Sequence, residues 1–356
     1  METTPIENPI KKILSKYTTV SNFYTAFENK KIECFACGHR CILNDGKDGI
    51  CKVRFNRNGK LFVPWGYVSA IQLDPIEKKP FYHILPGEKA LSFGMLGCDL
   101  HCNYCQNWIT SQTLRDKNSL AQVHNITAQE INDFAIATRA HIVTSTYNEP
   151  LITSEWAIEI FKLAKKNNLL TSYVSNGNTT PEILELLRPY VDLFKVDLKG
   201  FNDKYYRKLG CPLKNILDSI QRLYEMKFWI EIVTLIVPQF NDSEIEIREI
   251  AKFIACVSPD IPWHVTAFHP DYKMKTTEKT SVCLLQRAAE IGYEEGLHFV
   301  YTGNLPGMLG NYENTYCYQC KELLVERIGF KIKKNNLKNN SCPKCSTHIP
   351  GIWKHE

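Results

Sequence analysis

No run of 18 or more apolar residues occurs in the 356-residue chain, so no segment reads as a membrane-spanning helix. The first twenty residues, METTPIENPIKKILSKYTTV, carry lysines but lack an apolar centre with a small-residue cleavage site, and do not read as a secretory signal. Dense basic blocks are scarce too. Net charge is +5, and the one lysine-rich run, Lys331 to Lys338, reads as a solvated loop face. Without a stripe of Arg and Lys interleaved with aromatics, nucleic-acid binding is disfavoured. A cytoplasmic location is therefore expected. There the 14 cysteines would stay reduced, so clustered ones are expected to be metal ligands rather than disulfides. The length suits one large domain with small appendages.

One further absence carries chemistry. Cys98, Cys102 and Cys105 lie in GCDLHCNYCQNW, directly after the short apolar stretch Ala90 to Leu96, and the motif has no fourth cysteine. Three thiolates in eight residues can wrap one corner of an iron–sulfur cube, which normally takes four protein thiolates. One iron is left open, and an open coordination position is where chemistry happens. A zinc site would show paired Cys-x2-Cys knuckles, and a two-cluster ferredoxin would show Cys-x2-Cys-x2-Cys with a fourth cysteine and proline; neither occurs here.

Other cysteines cluster at the two ends. Cys317-x2-Cys320 and Cys342-x2-Cys345 flank a strand-like Leu323 to Ile328 and a polar, Asn-rich turn, the pattern of a zinc ribbon or a rubredoxin-like iron site. Cys34, Cys37, Cys41 and Cys51, with His39 among them, suggest a second metal site; zinc with a mixed ligand set and an auxiliary iron–sulfur cluster both fit the pattern, a structural metal site being favoured over an auxiliary cluster. Cys211, Cys256 and Cys283 stand alone and read as packed small hydrophobes.

Between the outer clusters strand and helix patterns alternate, which indicates an α/β fold with a parallel sheet. Candidate strands are 91–96, 141–146, 170–175, 193–198, 229–237, 263–268 and 298–301. Candidate helices are 127–139, 153–166, 181–189, 213–227, 242–256 and 279–295. Thr180 before Pro181 marks one helix start, and Asn241-Asp242-Ser243 ahead of Ile245, Ile247 and Ile250 marks another. About six βα units predict a partial (βα)6-type TIM barrel, with an open doubly wound sheet as the alternative. The expected division is a Cys-rich region over 1–80, a core barrel over 81–305 and a zinc-ribbon-like module over 306–356.

Functional residues of a barrel gather at the C-terminal strand ends. Those ends carry Asn148-Glu149, a carboxylate able to hold an ammonium group; Ser175-Asn176-Gly177; Asp197 and Lys199; and Phe268-His269. Each alone is an ordinary turn or surface pair. Their succession after a three-cysteine loop is not.

The cysteine loop, TYNEP, SNG and VDLKG resemble the pyruvate formate-lyase activating enzyme branch of the radical S-adenosylmethionine (radical SAM) superfamily. DPIEKKPFYHILPG, CQNW, YTGN, TYCYQC and CPKC resemble, more narrowly, the radical SAM component of the AmmeMemoRadiSam system, over about residues 34 to 353. The resemblance implies that Cys98, Cys102 and Cys105 hold a [4Fe-4S] cluster whose fourth iron is chelated by SAM. Tyr104 would contact the adenine. Glu149, with Asn148, would bind the SAM amino group, where many relatives read Gly-Gly-Glu; Ser175 and Asn176 would contact the ribose. Asp197, Lys199 and His269 are looser matches around the SAM carboxylate and ribose. The implied activity is reductive cleavage of SAM to a 5′-deoxyadenosyl radical for hydrogen abstraction, with an electron donor such as a flavodoxin or ferredoxin and with Memo-like and AMMECR-like partner proteins. A multi-cluster iron–sulfur electron-transfer protein without SAM chemistry is the alternative.

Overall fold

A computed structural model describes residues 9–354. Its centre is an eight-stranded sheet whose spatial order follows chain order. Strand β1 (Ala70–Pro75) is antiparallel to β2 (Lys89–Gly94). From β2 onward the sheet is parallel, through β3 (Ile142–Ser145), β4 (Leu170–Ser175), β5 (Leu193–Asp197), β6 (Trp229–Ile236), β7 (Trp263–Ala267) and β8 (Val300–Gly303). A doubly wound sheet reverses its strand order part-way. Here there is no reversal, so right-handed crossovers put every helix on one face and the sheet curls. Its two edges approach each other: Tyr82, in the β1–β2 connection, packs on Tyr301 of β8 at 4.8 Å between ring centroids.

Six βα units precede the last strand, as the periodicity predicts. The helices are α1 (Ala128–Ala137), α2 (Ser154–Lys166), α3 (Pro181–Leu187), α4 (Asp203–Leu209), α5 (Leu213–Glu225), α6 (Glu244–Val257) and α7 (Val282–Glu294). Their starts are set locally. Thr127 and Glu130 form a reciprocal capping box on α1, Thr180 accepts the Ile183 amide on α3, and Ser243 accepts the Glu246 amide on α6. On α6 the buried stripe is Ile247, Ile250, Ala251 and Ile254, while Ile245 faces solvent. At 100° per residue, Ile245 and Ile247 cannot share a face.

Strand β1 and helix α4 were not among the expected elements, and the last strand lies two residues later than expected, at Val300–Gly303. Cys211 is buried as expected, but Cys256 and Cys283 are exposed, on the solvent faces of α6 and α7. The lysine run at 331–335 is an exposed edge strand of the C-terminal sheet rather than a loop. Lysines on an edge discourage strand addition.

The connection between β1 and β2 plugs the N-terminal end of the barrel. Its Ile76, Phe81, Ile84 and Leu85 pack against Ala90, Ile142 and Leu193 at the strand starts, and Ile84 pairs with Ile352 near the end of the chain. The opposite end is thereby left for a site. Residues 18–64 form two three-stranded antiparallel sheets, tied to α2 by the two-pronged Arg54–Glu155 ion pair at 2.7 Å. A third antiparallel sheet, Thr315–Tyr316, Leu323–Ile328 and Lys331–Asn335, carries the C-terminal cysteines. Among the described residues, no helix is long and apolar enough to cross a membrane.

Candidate active site

β2 ends at Gly94, and the loop after it carries the three central cysteines. Glycine is required at two points. A Cβ on Gly94 would sit 2.4 Å from the Thr146 carbonyl oxygen, and one on Gly97, whose φ is +95°, would sit 2.8 Å from Val53 Cγ1 and 3.0 Å from the Cys51 carbonyl oxygen. The loop thus lies flat between the end of β3 and the N-terminal region. Its cysteines are oriented by their neighbours: the Leu100 amide points at Cys98 Sγ at 3.4 Å, and Ser111 Oγ lies 3.2 Å from Cys105 Sγ. Burial pushes the Cys98 thiol well above its ordinary value, with Asp99 and Glu149 adding to the effect, and pushes Cys102 up to about 12. Thiols held protonated by burial become ligands when a bound metal supplies positive charge. This donor set fits an iron–sulfur cluster.

Glu149 follows the end of β3 and is 3% exposed. It accepts hydrogen bonds from Ser175 Oγ at 2.7 Å, the Asn176 amide at 2.8 Å and the Leu151 amide at 3.1 Å. All three donors are neutral. Burial and then the nearby Asp99 push its carboxyl up to about 8, against the pull of those donors. A buried carboxyl met only by these neutral donors, with capacity for one more, is suited to a ligand amine. Asn148 does a positioning job, accepting the Met95 amide at 2.9 Å and so tying the end of β3 to the cysteine loop.

The remaining predicted residues fall into two groups. Cys102, Cys105, Tyr104, Asp197 and Lys199 line one cavity of about 410 Å³. Tyr104 packs edge-on to Phe240 at 5.5 Å. Lys199 Nζ donates to Asp197 Oδ2 at 3.0 Å and Lys195 pairs with the other oxygen. Burial opposes the Asp197 charge, but the two lysines outweigh it and bring the carboxyl down to about 2. His269 is not in that cavity. It is exposed, with Nδ1 3.0 Å from Gln106 Nε2, in an adjoining cleft of about 540 Å³.

Three residues of this region escaped the sequence reading. Asp99 is fully buried, taking Asn176 Nδ2 at 2.7 Å on one oxygen and Asn178 Nδ2 at 2.8 Å on the other. Lys195 stands two residues before Asp197 on β5, so strand alternation alone puts both on one face. His264, deeper in the barrel, lies 2.6 Å from Glu231 Oε2, and Glu231 also accepts the amides of Tyr82 and His83.

The C-terminal cysteines form a metal-ready quartet. All four ligand atoms lie within 4.8 Å of one another, with Cys317–Cys345 and Cys320–Cys342 sulfurs 3.6 Å apart. Each pair sits on a tight turn in which the fourth residue after a cysteine donates back to its carbonyl, Lys321 to Cys317 and Ser346 to Cys342, both at 2.9 Å. At the other end of the chain Cys34, Cys37 and Cys51 are buried and Cys41 is half-buried.

The chain is similar in sequence to known proteins. The sequence pattern of the Radical SAM superfamily matches residues 94–254, from the end of β2 into α6. The uncharacterized protein MJ0808 of Methanocaldococcus jannaschii is 34% identical over 331 residues, covering 92% of this chain and 97% of that protein. Pyruvate formate-lyase-activating enzyme of Clostridium pasteurianum is 27% identical over 213 residues, covering 54% of this chain and 85% of that enzyme. A crystallised domain of the pyruvate-formate lyase-activating enzyme from Bacteroides vulgatus has a TM-score of 0.41 at 22% identity, covering 46% of this chain and 98% of that domain. The chain belongs to the radical SAM superfamily, in its pyruvate formate-lyase activating enzyme-like branch. It is an enzyme that cleaves SAM to a radical, using the [4Fe-4S] cluster, SAM and electron donor of that family. An electron carrier without SAM chemistry is not favoured.

Proposed function

We propose that this enzyme uses the cavity at the C-terminal mouth of its barrel to direct a 5′-deoxyadenosyl radical at a segment of a partner protein, either activating it or modifying one of its side chains. Bound at the site, the cluster and SAM supply the one-electron cleavage of the sulfonium; the chain's residues bind, orient and exclude water. Cys98, Cys102 and Cys105 ligate the cluster. Glu149 accepts the SAM amine, Tyr104 lies against the adenine, Ser175 and Asn176 serve the ribose side, and Asp197 with Lys199 serves the ribose and carboxylate. His269 acts at the outer rim. The single observation that supports this reading is Glu149, a buried carboxyl met only by neutral donors within one hydrogen bond of Ser175 and two of the cysteine loop. A macromolecular substrate is supported by the groove: the cavity and the adjoining cleft share Tyr82, Gln106, Gly303, Asn304 and Phe330, so the open space runs from the cysteines to the C-terminal ribbon.

The finer assignments belong to the same proposal. The motif resemblance supports Memo-like and AMMECR-like proteins as partners within the AmmeMemoRadiSam system and a cytoplasmic setting. The 3.6 Å sulfur spacing supports structural zinc in the ribbon. The division into 1–80, 81–305 and 306–356 follows the three cysteine groups. Anaerobic reduction with SAM should yield 5′-deoxyadenosine from the reconstituted wild type and none from Cys102→Ala. Deuterium at exchange-stable carbons of a true partner should appear in 5′-deoxyadenosine. Failure of every candidate partner to transfer deuterium would refute the proposed partner set.

A further inference from the structure

We propose that Cys34, Cys37, Cys41 and Cys51 hold a second, closed [4Fe-4S] cluster behind the SAM-site loop. Sulfur spacing separates this from a single structural zinc ion. A single tetrahedral ion with metal–sulfur bonds of about 2.3 Å draws its thiolates to about 3.8 Å from one another. The C-terminal quartet is built to that measure, with sulfur pairs at 3.6 Å. The N-terminal quartet is not: among the described residues, only the C-terminal four bring all their ligand atoms within 4.8 Å. Nor does the central trio, which in this superfamily ligates a cubane, bring all its sulfurs within that distance. In a cubane each thiolate binds a different iron, so its sulfurs stand farther apart than around one ion. The inference rests on the radical SAM reading only for this comparison.

The four thiols nevertheless face a common enclosure. The Cys34 amide donates to the Cys41 carbonyl at 2.9 Å and closes the loop between them. A Cβ on Gly49 would lie 3.7 Å from Cys41 Sγ and 3.8 Å from Cys51 Sγ, so this glycine leaves space between two of the sulfurs. Cys37 is close enough to Cys51 and Cys34 to feel the charge of both. The Ile50 amide points at Cys41 Sγ at 3.5 Å, the kind of N–H to sulfur contact that tunes iron–sulfur sites.

A second observation is independent of the cysteines. Arg54 is 2% exposed, its Nη atoms are taken by Glu155 and the Ile152 carbonyl, and its Nε–H has no hydrogen-bond partner. Its guanidinium lies within electrostatic reach of Cys34 and Cys51. One buried N–H of this guanidinium, left without an acceptor beside Cys34 and Cys51, points to an acceptor brought by the occupant, and the thiolate and sulfide sulfurs of a cluster are such acceptors. The site also abuts the central loop: His39 Nε2 is 3.1 Å from the Asp99 carbonyl oxygen, and the Cys51 carbonyl crowds Gly97. Four protein thiolates leave no open iron, so this cluster would not bind SAM.

The test is the Cys98→Ala/Cys102→Ala/Cys105→Ala variant of the full chain, reconstituted anaerobically with iron and sulfide. About four irons and four acid-labile sulfides per chain beyond any ribbon-bound ion are expected, with the Mössbauer signature of a cubane. Sulfide is the discriminating count, because a single ion in the ribbon brings none. Zinc without sulfide, no sulfide-bearing metal, or about two irons with two sulfides would overturn the proposal. Should that variant misfold, Cys37→Ala/Cys51→Ala in an otherwise intact chain gives the complementary reading. Labile sulfide should fall from about eight to about four per chain while the remaining cluster still changes its electron paramagnetic resonance spectrum on adding SAM. Unchanged sulfide would overturn the second cluster. About four sulfides with no spectral response to SAM in this second variant would instead refute the SAM-site reading.

Discussion

Gly94→Ala tests whether the catalytic loop depends on a close backbone approach. Removing glycine from a strand should ordinarily raise stability by about 0.5–1 kcal/mol, because the unfolded chain loses freedom. Here the added methyl would lie 2.4 Å from the Thr146 carbonyl oxygen and 2.8 Å from Tyr147 Cβ. The nearest obstacle is backbone, so no rotamer change relieves it, and β2 and the end of β3 must separate. Overpacking of this kind costs about 1–3 kcal/mol, and a rigid obstacle argues for the upper end. For a chain this long, about 3 kcal/mol corresponds to a fall of about 4 °C in Tm. The same separation would stretch the Met95 amide to Asn148 bond of 2.9 Å and the Glu149 amide to Gly97 carbonyl contact of 3.4 Å. Cluster content and 5′-deoxyadenosine yield should fall with Tm. Gly303→Ala is the control, because its nearest contact is a side-chain methyl, Thr266 Cγ2 at 3.1 Å, which can shift. Anaerobic thermal melts with sulfide analysis decide the matter. A Gly94→Ala protein with Tm at or above wild type and full sulfide content would refute the reasoning.

Asp197→Asn leaves Lys195 and Lys199 buried without their anion and should destabilise the fold by about 3–5 kcal/mol, read as a drop in urea midpoint; an unchanged midpoint would mean that the lysines have another partner. Glu77 is pushed up to about 7 because burial outweighs the attraction of Arg327. A raised carboxyl makes the folded state hold an extra proton between its ordinary value and 7, so stability should fall as pH rises through that window. Glu77→Gln should make the fall in Tm between pH 5 and 8 shallower, leaving the part that Glu149, pushed up to about 8, contributes, and an unchanged slope would assign the titration elsewhere. Cys320→Ser/Cys342→Ser should cost the chain its ribbon metal, read by elemental analysis. It should also raise proteolysis near residues 320–345, while labile sulfide stays at the wild-type level.

Seven parallel strands were legible because each is a short apolar run bounded by turn residues, and burial on both faces removes the ambiguity of alternation. β1 was not, since Ala70–Pro75 is only half-buried at the sheet edge and its apolar face is just Ile71 and Leu73, too short an alternation to stand out. Helix α4 was missed because its seven residues, DKYYRKL, bury only Tyr206 and Leu209, too few to show a period. The strand-end rule located Glu149, Ser175, Asn176, Asp197 and Lys199, because the barrel dictates where loops converge. It gave no pairing. Asp99 stands next to Cys98 in sequence, yet its partners Asn176 and Asn178 are 77 and 79 residues away, and no local pattern announces a bond of that length. His269 shows the converse limit: a polar residue after a strand end can face the rim rather than the cavity.

The Ser175-Asn176-Gly177-Asn178 turn clamps two buried acids at once. Ser175 Oγ and the Asn176 amide hold Glu149, while the Asn176 and Asn178 side chains take opposite oxygens of Asp99. Gly177, at φ +77°, supplies the left-handed bend that lets consecutive residues face both. Both ends of the Asn176 side chain are engaged, since its Oδ1 also accepts the Asn178 amide at 2.9 Å. Its oxygen keeps one lone pair for a further donor while the hold on Asp99 stays in place. Both carboxyls are held by neutral donors on either side of the cysteine loop. Under the proposed function, cluster loading and SAM binding bring positive charge beside them and should each tighten a turn that is already in place.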